Sequence, residues 1–425
     1  MSMAGRFLGG AQDRLLPAAI PFRFFVTAAV FHLLAWMVLL LAADEVAGFR
    51  GGTGPVLAAI HLLTLGTLAM TAIGASLQLF PVVTRRALTR NWPGHFSYAL
   101  MLPGVALLSW GMALHQTTAM QLGAGLTCCG LLVFVALTAN NLRRASSIPV
   151  VAAHGWLALA TLFVAALLGV LMIWGIELNI LSNRSGLAIT HLTLASYGFM
   201  GSLILGLSLV LIPMFVLSRS LPPNPGWAQL GLTALALLVF SISFVSEFPG
   251  LIWLALIAGF GGTGFYLWQM AKILRSSMRK RLGLPFVLMR ASWGFLILTL
   301  LLVTAYLAGL AIPNAVSLIG FVLLAGWLLT FLCGVLQRIM PFLASMHAAG
   351  KSGLPPLLSD LTAEGPLMLH AVCHFSAVTL CGIGIVADQS LLIRIGSALG
   401  VVGAAGFATF AIIVALKVRQ GPRTS

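Results

Sequence analysis

Apolar residues fall in twelve long blocks along this chain, at 23–44, 55–82, 97–115, 121–140, 151–175, 185–217, 228–247, 251–271, 286–310, 315–341, 366–387 and 391–416. Short stretches rich in Arg, Lys, Pro, Gly and Asn separate them. A block of about 20 apolar residues is what one helix needs to cross a bilayer. Such a segment must be helical, because lipid offers no partner for an open backbone group. The pattern therefore predicts an all-α polytopic membrane protein with about twelve transmembrane helices. The sixth block is too long for one straight span, so its helix is expected to run past the bilayer.

Three segments repeat one motif: Gly74-Ala-Ser-Leu-Gln-Leu-Phe-Pro81, Gly206-Leu-Ser-Leu-Val-Leu-Ile-Pro213 and Gly334-Val-Leu-Gln-Arg-Ile-Met-Pro341. Each is Gly, six residues, then Pro, near the end of a long block, and the prolines stand 132 and 128 residues apart. A period of that size predicts three copies of one unit. With twelve helices this gives three pseudo-repeats of four, at 15–145, 146–283 and 284–420, within a single transmembrane domain, 1–425. The glycine is expected to admit a neighbouring backbone or a flat cofactor. The proline is expected to free a carbonyl and end the span. Gln78 and Gln337, just ahead of two of the prolines, are expected to satisfy the loosened backbone groups.

Composition agrees: 60% of residues are hydrophobic and 7% are charged, which excludes a water-soluble protein of this length. The net charge of +15 would suit a nucleic-acid partner, but its distribution does not. With the N-terminus inside, Lys and Arg fall on the cytoplasmic side except Arg50, Arg184 and Arg394. That asymmetry predicts both termini in the cytoplasm of a bacterial inner membrane. It also makes the lipid bilayer, including anionic headgroups, the partner of the basic charge. Asp44, Glu45, Glu177, Glu247 and Asp388 fall in predicted outer loops. The first block is long enough to remain as a span, so no cleaved leader is expected. The longest loop, 342–365, is predicted cytoplasmic. The five cysteines make no C-x-x-C pattern and read as packing residues.

Histidines carry the candidate chemistry. His61 lies 13 residues before its repeated glycine and His191 lies 15 before, placing both roughly 9 Å below the outer surface. Neutral imidazole ligates haem iron, copper or zinc. The competing reading is a buried histidine bonded to a carbonyl or hydroxyl nearby. His32 on the first helix and His374 on the eleventh lie near mid-membrane. His370 and His374, four apart, share one helix face and could chelate one metal or line a polar seam. Gln78, Asn140, Gln269 and Gln337 are further polar core candidates. No carboxylate is predicted within the membrane core, where ion-coupled carriers usually place one. No phosphate loop, hydrolase arrangement or H-E-x-x-H is present.

The order and spacing of these features resemble subunit I of the haem-copper oxidases, in divergent bacterial form. The marks are Pro21-Phe-Arg-Phe-Phe25, His61-Leu-Leu-Thr-Leu-Gly66 running on to Gln78-Leu-Phe-Pro-Val-Val83, His191 with Gly198, Gly206 and Pro213-Met-Phe215, and Gly326-Trp327 through Arg338-Ile-Met-Pro-Phe-Leu343. The opening motif and the histidine-rich spans are also similar to the NnrS family of haem- and copper-containing membrane proteins. The resemblance implies haem b on His61, with His32, His191 or His374 as second-ligand candidates, and copper near His191. It implies electron transfer or handling of a diatomic gas such as nitric oxide, with a membrane or periplasmic electron partner. The family also needs histidines on helices seven and ten, and here both have none. An active oxygen reductase is therefore not expected. Two alternatives stay open: a permease or metal-handling protein using His61, His191, His370 and His374 on the same scaffold, or a cofactor-free assembly subunit.

Overall fold

A computed structural model describes residues 14–145, 147–178, 183–219, 221–245, 248, 250–279, 281–352 and 356–420. Glu247, placed above in a predicted outer loop, lies outside the described residues. The protein is an all-α polytopic membrane protein. Among the described residues there is no strand, and twelve helices are long and apolar enough to cross a bilayer. They are α1 Ala19–Leu41, α2 Pro55–Val83, α3 Trp92–Ala113, α4 Thr117–Arg143, α5 Pro149–Gly175, α6 Arg184–Val216, α7 Asn224–Phe244, α8 Leu251–Arg275, α9 Leu284–Leu307, α10 Ala315–Ala348, α11 Glu364–Ala387 and α12 Ser390–Val418. Several start earlier than the apolar blocks, as α3 does at Trp92, because aromatic and cationic headgroup residues lower hydropathy without breaking a helix.

The chain forms two compact units. The first takes Ser76–Met101 and Ala124–Leu282; the second takes Leu16–Ala75, Leu102–Gly123 and the residues from Gly283 on. Their boundaries cut α2, α3 and α4, so the units are not the sequence repeats. The repeats survive in a different form. The helices α2, α6 and α10 are the most enclosed, with 67%, 89% and 83% of their apolar windows buried, against 11–50% for the other nine. Each of the three changes from α to π-helix and back. The π segments are Leu62–Ala69, Leu194–Gly201 and Val322–Leu329, and they keep the spacing of the prolines.

The glycines explain the π segments. Each central helix carries two, eight residues apart: Gly66 and Gly74, Gly198 and Gly206, Gly326 and Gly334. A Cβ added to them would meet Phe31 and Phe24, Thr161 and His154, and Phe295 and Leu288 at 2.4–3.0 Å. Those partners sit on the preceding helix seven residues apart, which is about two α turns. Eight residues on the facing helix leave one surplus residue, and a π turn, bonded i to i+5, absorbs it. The glycines thus admit side chains of a neighbouring helix, which take the space foreseen for a flat cofactor.

The prolines do less than expected. Pro81 and Pro213 stand inside their helices, which close only at Val83 and Val216. Four residues after each, Arg85 and Leu217 adopt left-handed backbone (φ 56° and 55°). The next amide then donates back to the proline carbonyl, Arg86 to Pro81 at 3.1 Å and Ser218 to Pro213 at 3.0 Å. This six-residue closure ends a helix without leaving its last carbonyls open. Pro341 does not end its helix, which continues to Ser352 and occupies part of the expected loop 342–365. Proline removes only one amide donor, and the residues that follow are packed, with Leu343 and Ala344 buried. Gln337 is buried, but its amide atoms have no hydrogen-bond partner among the described residues, so it does not satisfy a loosened backbone group.

Candidate functional site

In the second unit three histidines meet. The four-residue spacing on α11 puts His370 and His374 on one face. Their rings stack with centroids 5.3 Å apart and planes 25° apart. His32 of α1 meets His370 edge-on at 5.9 Å. All three side chains are buried, at 1% exposure or less. Phe407 of α12 closes over them, 5.0 Å from the His370 ring and 6.2 Å from His32.

The neighbouring helices fix each ring. Gly400 of α12 leaves room for the Trp36 indole, which a Cβ there would approach to 2.3 Å. That indole N–H donates to His32 Nε2 at 3.0 Å. Gly403, whose added Cβ would lie 3.0 Å from Cys373 Cβ, brings α12 against α11. Its carbonyl accepts the His370 Nδ1–H at 3.1 Å. On α10, Thr330 is the first residue after the π segment. Its hydroxyl donates to Ala325 O, five residues back, at 2.9 Å and lies 2.7 Å from His374 Nε2. With its one proton on Ala325 O, the hydroxyl accepts from His374 Nε2–H.

These partners assign the tautomers. An indole only donates, so His32 Nε2 is an acceptor and His32 Nδ1 carries the proton. His370 then offers a lone pair at Nε2, and His374 offers one at Nδ1. None of these three nitrogens has a hydrogen-bond partner among the described residues. A buried polar atom left so costs about 1–3 kcal/mol, so the cluster holds one open donor and two open acceptors.

Of the other sequence candidates, His61 belongs to the same unit as this cluster and His191 to the other. His61, half-buried on α2, donates Nδ1–H to Leu57 O of its own helix at 3.0 Å. His191 on α6 donates Nδ1–H to Ala165 O of α5 at 2.8 Å. The two are not equivalent in the repeat. His61 immediately precedes its π segment, whereas His191 lies three residues before its own. Two residues of helix turn a side chain by about 200°, so the paired depth expected from sequence does not become a paired direction. Among the described residues no three His, Cys, Asp or Glu are grouped to hold a metal ion. The His32 tautomer agrees, since it has no lone pair at Nδ1 to give.

Beside α2 the space at the repeated glycines is taken by side chains and not by a flat cofactor. The glycine notches of α2 hold Phe31 and Phe24, and the π segment of α2 packs directly on that of α10.

Sequence reasoning missed several buried polar groups. In the first unit His154 of α5 donates Nδ1–H to Val150 O at 2.8 Å and accepts from Gln229 of α7 at 3.1 Å. Gln229 in turn accepts from Gln269 of α8 at 3.0 Å. Gln269 was foreseen; Gln229 was not. Asn141, not its half-buried neighbour Asn140, is the fully buried amide, bonded to Thr84 and to Arg86 O. No family model matches the chain, and no curated protein matches it significantly.

Proposed function

We propose that this chain is a permease-class protein of the bacterial inner membrane, with both termini cytoplasmic, that passes a small polar ligand through histidine contacts in its interior. The observation that carries the reading is the buried His32–His370–His374 cluster, which presents three unpartnered ring nitrogens between packed spans. Acidic side chains add nothing to it. Among the described residues the only one within a span is Glu364, at the exposed first position of α11. Imidazole hydrogen bonding is then the chemistry on offer, and a charged cargo would lack a counter-charge. The basic asymmetry of the loops supports the orientation.

The test uses full-length protein purified in detergent and reconstituted in vesicles. Expected are a colourless protein, no stoichiometric metal, and permeability to small uncharged polar solutes above that of empty vesicles. A Soret band lost in His61→Ala would overturn the reading in favour of a haem protein. Stoichiometric copper or zinc lost in His370→Ala would overturn it in favour of metal handling. Permeability no higher than that of empty vesicles would leave a scaffold role.

A further inference from the structure

The hydrogen-bond inventory of the cluster narrows the ligand. We propose, resting on the permease reading of the same residues, that it binds one small neutral hydride, ammonia or water. This molecule accepts a single hydrogen bond from His32 Nδ1–H and donates two, to His370 Nε2 and His374 Nδ1. The count comes from the tautomers fixed by Trp36, Gly403 and Thr330. The rings stand close together, with centroids 5.3 and 5.9 Å apart, so the three open nitrogens belong to one buried cluster.

Other ligands fit less well. A metal ion or ammonium would face the His32 N–H dipole with no carboxylate to offset its charge. An alcohol donates once and leaves one imidazole lone pair unfilled. Phe407 and the Trp36 indole bound the cluster with apolar surface. A first-row molecule with one acceptor site in use and two donated protons satisfies all three nitrogens. Ammonia and water share that chemistry.

Solid-state NMR of the full chain, labelled with 15N-histidine in lipid bilayers, reads the site directly. The expected signals are a protonated Nδ1 on His32, a protonated Nδ1 with bare Nε2 on His370, and a protonated Nε2 with bare Nδ1 on His374. Magnetisation transfer to the two bare nitrogens is measured from exchangeable water in one sample and from buffered 15N-ammonia in another. The sample that gives the transfer identifies the ligand. Transfer from neither overturns the proposal.

Vesicle flux supplies the second readout. Ammonia entry is followed with an internal pH dye and water entry by light scattering, in wild type, Thr330→Val and Trp36→Phe. Removing the Thr330 hydroxyl leaves the His374 tautomer unfixed, and about tenfold slower flux of the bound species is expected. The two failures differ. Ligand at the nitrogens without flux above empty vesicles sinks the permease reading and keeps the site. Flux that neither variant changes, in a chain that gives no transfer, keeps the permease reading and sinks the site.

Discussion

Gly206 has the His154 side chain where its own Cβ would lie, 2.4 Å from His154 Cβ, whereas Gly125 on α4 has nothing within 4 Å. The two therefore separate packing from propensity. Gly206→Ala forces α6 off α5 and should cost about 1–3 kcal/mol. Gly125→Ala should be neutral or stabilise by up to ~1 kcal/mol. Thermal unfolding of the purified variants checks both, and equal midpoints would refute the contrast. At the N-terminal end of α12, the exposed Asp44 carboxyl is held below its ordinary 3.8 by a hydrogen bond from Ser390 and then by Arg394, which reaches it at 2.7 Å. A depressed carboxyl stabilises the fold above its unfolded value and loses that contribution as pH falls through its folded one. The stability gap between wild type and Asp44→Asn should thus be level above about pH 4 and close below it. Side-chain chemistry was only partly legible at this scale. Spacing alone paired His370 with His374, but His32 stands 338 residues away from His370. Its place depends on glycines that let α12 carry Trp36 and His370 close together. Nothing local to Gln229 or His154 announces that they meet.

A helix with one residue too many is the recurrent element of this fold. In α6, deleting Met200, which lies in the π segment between Gly198 and Gly206, shortens their spacing to the seven residues that separate Thr161 from His154. An unbroken α-helix then meets both partners. Deleting Val210, in plain α-helix beyond Gly206, instead turns the residues past it by about 100° relative to their contacts. The Met200 deletion should express and fold near wild type, and the Val210 deletion should not. Size-exclusion profiles of fluorescent fusions would decide, and the reverse order would discard the surplus-residue account. Hydropathy located all twelve spans, because burial in lipid is written into residue type. It was silent on the π segments, because a bulge changes hydrogen bonding and not polarity. The eight-residue glycine spacing was visible. Its meaning required the seven-residue spacing on the partner helix, which only tertiary contact reveals. Pro341 misled for a related reason: a proline signals one lost donor, and packing beyond it decides whether the helix stops.

For the molecule as a whole, the loops of the sequence predict an orientation and its period predicts a repeat. The repeats at 132 and 128 residues reappear as three enclosed α–π–α helices, although the compact units cut across them. The loop asymmetry leads to a direct test of orientation. Green fluorescent protein at the C-terminus should fluoresce, and alkaline phosphatase inserted at Gly52 should be active; the opposite pair would invert the protein. Function was the least legible, since the repeated glycines serve helix packing and the buried polar groups are assembled from residues far apart in the chain. The π segment of α10 ends immediately before Thr330, the residue that touches His374. A surplus residue is slack, and slack can migrate along a helix at the cost of a few exchanged hydrogen bonds. Moved one position toward the C-terminus, it would swing Thr330 by about 100° and uncouple it from the imidazole. The defect and the binding cluster then behave as one latch, and amides 322–330 should exchange hydrogen faster than those flanking them.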